Sequence, residues 1–250
     1  MKRIQILSLY VIISLVLTSC GGGSDTEKKN DSSNPLSAGS ITHNGTSYDT
    51  VISPLTGKTW LDRNLGAARV CESFNDTACY GDYYQWGRGF DGHEDSRSGT
   101  TKTLATSINN VGRQFIITPN SDKDDWIEIA DSDGSQRSKN WSKIDGSSIC
   151  PAGFRVPTAV ELKKELLVEG IAKQNKNSAF DSFLKVPFAG LHALSTGVIL
   201  RDRSHAYLWT STPDESKTLS VHMFNDGEAQ YGYAYSQFRA DGFSVRCIKD

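Results

Sequence analysis

Carboxylates gather in one part of this chain, where Asp122-Lys123-Asp124-Asp125-Trp126 is followed closely by Asp131-Ser132-Asp133-Gly134-Ser135. Acidic side chains at that spacing, with a glycine turn, can wrap a calcium ion, which takes six to eight oxygens. The candidate ligands are Asp122, Asp124, Asp131 and Asp133. A solvated surface loop is the stronger reading, because Asp131 to Gly134 lacks the third ligand and the distal glutamate of an EF-hand loop. Tyr231, Tyr233 and Tyr235 alternate with Gly232 and Ala234, so on a strand three rings line one face. That ladder can stack on sugar rings, or it can equally cover a core while the small residues admit a layer from the other side. Tyr83, Tyr84 and Trp86 read as a core or loop anchor. The five histidines are dispersed, with no second His or Glu at ligand spacing, and the chain has no phosphate loop, nucleophile elbow or zinc-protease helix. No catalytic residue is assigned, and calcium is the one cofactor considered.

The elements that must position these groups are short. Thr158 and Glu161 form a capping box, so a helix is expected from Ala159, with Leu162, Leu166 and Leu167 on one stripe and an end near Gly170. Upstream, Tyr48, Val51 and Ile52, then Trp60 and Leu61, predict two short strands around the turn Pro54-Leu55-Thr56-Gly57. Residues 91–147 read as a long irregular loop, a length that is more often functional than accidental. Ser178 to Leu184 predicts a second short helix or a turn. After it, Ala206–Ser211, Leu219–Phe224, Gln230–Tyr235 and Phe243–Ile248 predict an antiparallel meander. Helices followed by such a sheet make the class α+β.

Four ordered motifs carry a resemblance: Thr56-Gly57-Lys58-Thr59-Trp60-Leu61-Asp62-Arg63-Asn64-Leu65-Gly66, Gly81-Asp82-Tyr83-Tyr84-Gln85-Trp86-Gly87-Arg88, Cys150-Pro151-Ala152-Gly153-Phe154-Arg155-Val156-Pro157-Thr158, and Gly242-Phe243-Ser244-Val245-Arg246-Cys247-Ile248. From about Tyr48 to Asp250 the chain resembles the Fibrobacter succinogenes major paralogous domain, a bacterial envelope module. The resemblance implies a C-type-lectin-like fold akin to that of the formylglycine-generating enzyme, with one or two helices, a long loop region and a C-terminal sheet. It carries no activity. The oxidase chemistry of those relatives needs a pair of cysteines near the C-terminus, where Cys247 stands alone, and the Glu-Pro-Asn, Gln-Pro-Asp and Trp-Asn-Asp motifs of calcium-dependent lectins are missing.

Lys2 and Arg3 precede the apolar run Ile4–Leu17, which ends in Leu17-Thr18-Ser19-Cys20. This reads as a signal peptide, 1–19, with a lipobox that makes Cys20 the lipid-modified N-terminus. Two acyl chains on that residue would give a stable anchor. Gly21 after the cysteine favours the outer membrane of the bacterial envelope. Residues 20–40, rich in Gly, Ser and Asn, form a tether of roughly 25 Å reach, and 41–250 form the folded domain. Four cysteines remain in an oxidising setting, and four allow three pairings. We expect Cys71 with Cys79 and Cys150 with Cys247, worth roughly 2.6 and 4.6 kcal/mol on chain entropy. Cys247 would point inward with Phe243 and Val245. Removing 1–19 takes away Lys2 and Arg3 and no acid, so the net charge goes from −2 to −4, which argues against nucleic acid as a partner. The expected function is a non-catalytic, membrane-anchored binding or adhesion module for a glycan or surface protein. The alternatives are a hydrolase of envelope or extracellular polymer using loop carboxylates, and a structural surface protein.

Overall fold

Opening the folded part is a hairpin, Ile41–His43 with Thr46–Tyr48, whose turn residues Asn44 and Gly45 both lie in the left-handed region at φ +47° and +78°. Asn-Gly suits this turn because the mirror-image geometry matches strand twist. The computed structural model describes residues 40–118, 125–166, 178–214, 217–225 and 230–250. The expected signal peptide and all of the expected tether except Ser40 lie outside them. Among the described residues, no helix is long and apolar enough to cross a membrane.

The expected strand pair around Pro54 is present, with Thr50–Ile52 antiparallel to Thr59–Leu61. Ile248–Lys249, at the chain's end, pairs with Thr59–Leu61 through Ile248 opposite Trp60, and on its other side with Phe154–Arg155. The first motif is thereby joined to the last. A second four-stranded sheet orders Ile199–Leu200, Leu191–His192, Gly242–Phe243 and Tyr84–Gln85. The long strands His205–Asp214, Lys217–Asn225 and Gln230–Gln237 form an antiparallel sheet of three.

The expected fourth strand of that meander does not join it as an antiparallel neighbour; Ser244 makes only an isolated parallel bridge to Leu208, with the Trp209 amide donating to the Ser244 carbonyl at 3.0 Å. Phe243 to Ile248 instead crosses the interior, contributing Gly242–Phe243 to one sheet and Ile248 to the other. Its alternate residues Ser244 and Arg246 are as deeply buried as Phe243, Val245 and Cys247. A strand buried on both faces must satisfy its polar side chains internally. Arg246 does so by donating to the Asn64 side chain at 3.0 Å and the carbonyl of Leu184 at 2.7 Å, and burial still brings it down to about 9.

The capping box forms as expected: the Thr158 amide donates to Glu161 at 2.9 Å, the Glu161 amide donates to the Thr158 hydroxyl at 3.3 Å, and the helix Ala159–Leu166 follows. Residues 167–177, including the expected end near Gly170, lie outside the described residues. Leu162 and Leu166 pack with Trp60, Leu184, Phe188, Leu208 and Ile248, each buried aliphatic side chain contributing about 1.5–3 kcal/mol. Ser178–Asp181 is the expected second short helix. The region read as an irregular loop holds the helix Ser135–Trp141 and the strand Phe115–Ile116. Mixed helices and antiparallel sheets make the class α+β.

Both expected disulfides are present, Cys71–Cys79 and Cys150–Cys247, the second joining Cα atoms 6.0 Å apart.

Candidate functional site: a groove divided by Phe90

A groove runs beside the Asn44-Gly45 hairpin in two basins of about 500 and 480 Å3, and His43, Asn44 and Phe90 border both. His43 is pinned by donating its Nε2 proton to the carbonyl of Ile149 at 2.8 Å. Phe90 is 52% exposed, yet the backbone that carries it is tightly fixed. The preceding Arg88 is fully buried and donates to the carbonyls of Gly112 at 2.9 Å and Gln114 at 3.1 Å, and to the Gln85 side chain at 2.7 Å. The Trp141 indole in turn donates to the Arg88 carbonyl at 3.0 Å. Gly87, at φ +79°, leaves no room for a side chain, since a Cβ there would stand 2.5 Å from Arg137. The result is a rigid turn that presents an apolar ring to solvent. Around it the larger basin is lined by the amides Asn44, Asn109, Asn110 and Asn140, with Lys143 and Ser147.

The smaller basin holds Asp82 with Tyr48, Tyr84, Glu94 and Asp95. Two glycines place Asp82 there. Gly81 sits at φ +75° where a Cβ would meet the Leu65 carbonyl at 2.2 Å, and a Cβ on Gly66 would lie 2.2 Å from the Asp82 carboxyl carbon. The Asp82 amide donates to the Leu65 carbonyl at 2.9 Å, and the Tyr84 hydroxyl donates to its carboxylate at 3.3 Å. Burial, and next the charge of Glu94, push Asp82 up to about 7. An acid raised this way binds more protons folded than unfolded between about pH 4 and 7, so it makes stability fall as pH rises through that window. Asp82→Asn is therefore expected to raise the unfolding free energy at pH 8 by about 4 kcal/mol and to leave it unchanged at pH 3. Urea titrations at the two pH values check this, and an equal effect at both would contradict the assignment.

Next to this basin, the metal-binding atoms of Asp91, His93 and Glu94 come within 4.8 Å of one another. Sequence reasoning passed over His93 because its partners are Asp91 and its own neighbour Glu94. The hydrogen bonds decide what this group does. The Gln85 amide donates to His93 Nε2 at 3.0 Å, so that nitrogen is the lone-pair acceptor and Nδ1 carries the proton that reaches Asp91 at 2.6 Å. A protonated Nδ1 cannot ligate a metal. Burial raises Asp91, yet the bond from His93 and the charge of Arg88 outweigh it and hold the carboxyl below its usual range. The trio braces the turn that carries Phe90.

The described half of the expected calcium set is engaged elsewhere. Asp131 accepts from the amides of Gln136 at 2.7 Å and Arg137 at 3.0 Å, and pairs with Arg137 Nε at 2.9 Å, so it caps the helix Ser135–Trp141. Asp133 accepts from the Ser135 amide at 3.1 Å. Asp122 and Asp124 lie outside the described residues. Asp125 grips Arg137 with two bonds of 2.7 Å, and Arg239, Trp86, Arg137, Trp126 and Arg88 alternate with guanidinium-to-ring distances of 4.9–5.7 Å. The acidic stretch thus holds a buried arginine–tryptophan stack. In the tyrosine ladder, Tyr231, Tyr233 and Tyr235 stand opposite Phe224, His222 and Ser220 in register. Tyr235 is 61% exposed, while nothing is described of the other two side chains. Trp86 is fully buried and Tyr83 and Tyr84 nearly so. Comparisons with protein-family models, curated proteins and solved structures return no match for this chain.

Proposed function

We propose that this chain is a non-catalytic, lipid-anchored bacterial envelope protein, of the Fibrobacter succinogenes major paralogous kind with a C-type-lectin-like domain, that binds a saccharide in the groove divided by Phe90. The observation that carries the reading is a rigidly held, half-exposed aromatic ring between two polar basins. Sugar rings have apolar faces that stack on aromatic rings and hydroxyl edges that pair with amides and carboxylates. Tyr235, the described member of the tyrosine ladder, borders neither basin.

Binding of the full chain in detergent to a glycan array, with calcium and again with chelator, tests this. Binding is expected in both conditions, because both carboxylate oxygens of Asp131 are taken by Gln136 and Arg137 and Asp133 accepts from the Ser135 amide. Phe90→Ala is expected to weaken it about tenfold, the loss of one stacking contact, and unchanged affinity would refute the groove as the site. A hydrolase reading draws on the contrast between Asp82, raised to about 7, and Glu94. Burial raises Glu94 too, but bonds from His93 and backbone amides outweigh it and hold the carboxyl low. Glu94 borders the smaller basin but is nearly buried and engaged by the Asp91 and Gly92 amides and by His93, so bound oligosaccharides are expected to be recovered intact. The anchor has its own test: Cys20→Ala should move the protein from the detergent phase to the aqueous phase, and continued partitioning into detergent would overturn it.

A further inference from the structure

We propose that the smaller basin is an ammonium seat: it takes the charged amine of a saccharide that carries an unacetylated amino group, on the Asp82 carboxylate and beside the exposed ring of Phe90. This rests on the saccharide reading above and narrows it to one ligand chemistry.

Two of the three carboxylates bordering the basin are occupied. Glu94 accepts the Gly92 amide at 2.8 Å and lies 3.3 Å from the protonated His93 Nδ1. Asp95 is bridged by Arg97 at 2.9 and 3.0 Å, an exposed pair. Asp82 is different. It takes a hydrogen bond from the Tyr84 hydroxyl, and among the described residues it forms no ion pair. The fold nonetheless carries it into a half-buried cleft on two glycines whose positions tolerate no side chain. A carboxylate held there, with the exposed Phe90 ring bordering the same basin, matches what an ammonium group requires, since a cation gains from both the opposite charge and a ring face. Tyr48 forms the fixed, buried back of the basin: its hydroxyl oxygen accepts the Gly66 amide at 2.8 Å and the Arg63 guanidinium stands over its ring at 4.8 Å. A neutral acetamido group would bring neither charge nor proton exchange.

Binding is also coupled to protons. The charged or titratable groups around Asp82 are Tyr48 from the hairpin, Tyr84 from the neighbouring strand, Glu94, Asp95 and Arg97 from the following loop, and His43 at the rim. Below about pH 7 Asp82 holds a proton, which an arriving ammonium must displace. Affinity for an amine therefore rises from pH 5.5 to pH 7.5 and falls again where the sugar amine loses its own proton.

The experiment compares an oligosaccharide of glucosamine with its fully N-acetylated twin, titrated calorimetrically into the full chain in detergent at pH 5.5 and 7.5. The amine form is expected to bind at least about tenfold tighter at pH 7.5, the value of one charge-assisted hydrogen bond. That preference should shrink at pH 5.5 and vanish in Asp82→Asn. Equal affinities, a preference for the acetylated sugar, or a preference that survives Asp82→Asn would overturn the proposal. The wild-type comparison decides even if the variant folds poorly. Ethylamine, an ammonium without a sugar, separates the two readings. If neither oligosaccharide binds, ethylamine shifts at Tyr48 and Tyr84 by NMR that are lost in Asp82→Asn keep the seat and refute only the saccharide, whereas no shift refutes the seat.

Discussion

Arg137→Ala is expected to lower the stability of this domain by about 3–5 kcal/mol, the cost of leaving buried charges without their partner. Arg137 is fully buried, and its guanidinium satisfies Asp125 at both oxygens, Asp131 at one, and the Asp131 carbonyl at 2.9 Å. Removing it strands the Asp131 carboxylate, which is fully buried, and takes the middle layer out of the stack between Trp86 and Trp126. For a domain of this size the melting temperature should drop by about 10 °C or more. Arg137→Lys should recover only a fraction of this, because an ammonium cannot grip Asp125 with two parallel bonds while holding Asp131. A shift of only a degree or two in Arg137→Ala would show that the stack is not a structural keystone. The same loss should accompany weakened binding at Phe90, since Gly87 and Arg88 tie that turn to the stack.

The second large effect concerns Cys150 and Cys247. Replacing both with alanine is expected to cost about 4.6 kcal/mol in denaturant titration, against about 2.6 for replacing Cys71 and Cys79, because the stabilisation grows with the loop closed. The separations are 97 and 8 residues. A domain stable by about 5–15 kcal/mol would lose a third or more of its margin. The bridge also holds the segment that seats Arg246, and Cys247 accepts the Leu61 amide at 3.0 Å across to the first motif. Equal losses from the two double variants, or a greater one from the short loop, would contradict this ranking.

The elements that sequence made legible share a local or covalent cause. The capped helix at Ala159, the strand pair around Pro54 and the bridge between Cys150 and Cys247 are each written in a few residues, through a box, a turn and an inward-facing strand. The Asn44-Gly45 hairpin carried an equally local signal in its dipeptide and was passed over. The motif Asp62-Arg63-Asn64 proved architectural: Asn64 holds Arg246 and Arg63 pairs with Asp62 at 2.6 Å. The helix Ser135–Trp141 was not legible, because it begins at Gly134 with no side-chain cap of its own and depends on Asp131.

The groove belongs to the tertiary structure alone. His43, Asp82, Phe90 and Asn140 lie on four separate segments, and no spacing in the chain places them together. Even the acids exchanged their apparent roles: the closely spaced Asp125 and Asp131 became partners of a buried arginine, whereas Asp82, inconspicuous in sequence, is left uncompensated in a cleft. Sequence by itself determined what depends on neighbours along the chain, namely caps, turns and the order of motifs. Which carboxylate meets a cation and which faces an open basin was decided by folding, because charge compensation and burial depend on distances in space that sequence separation does not contain.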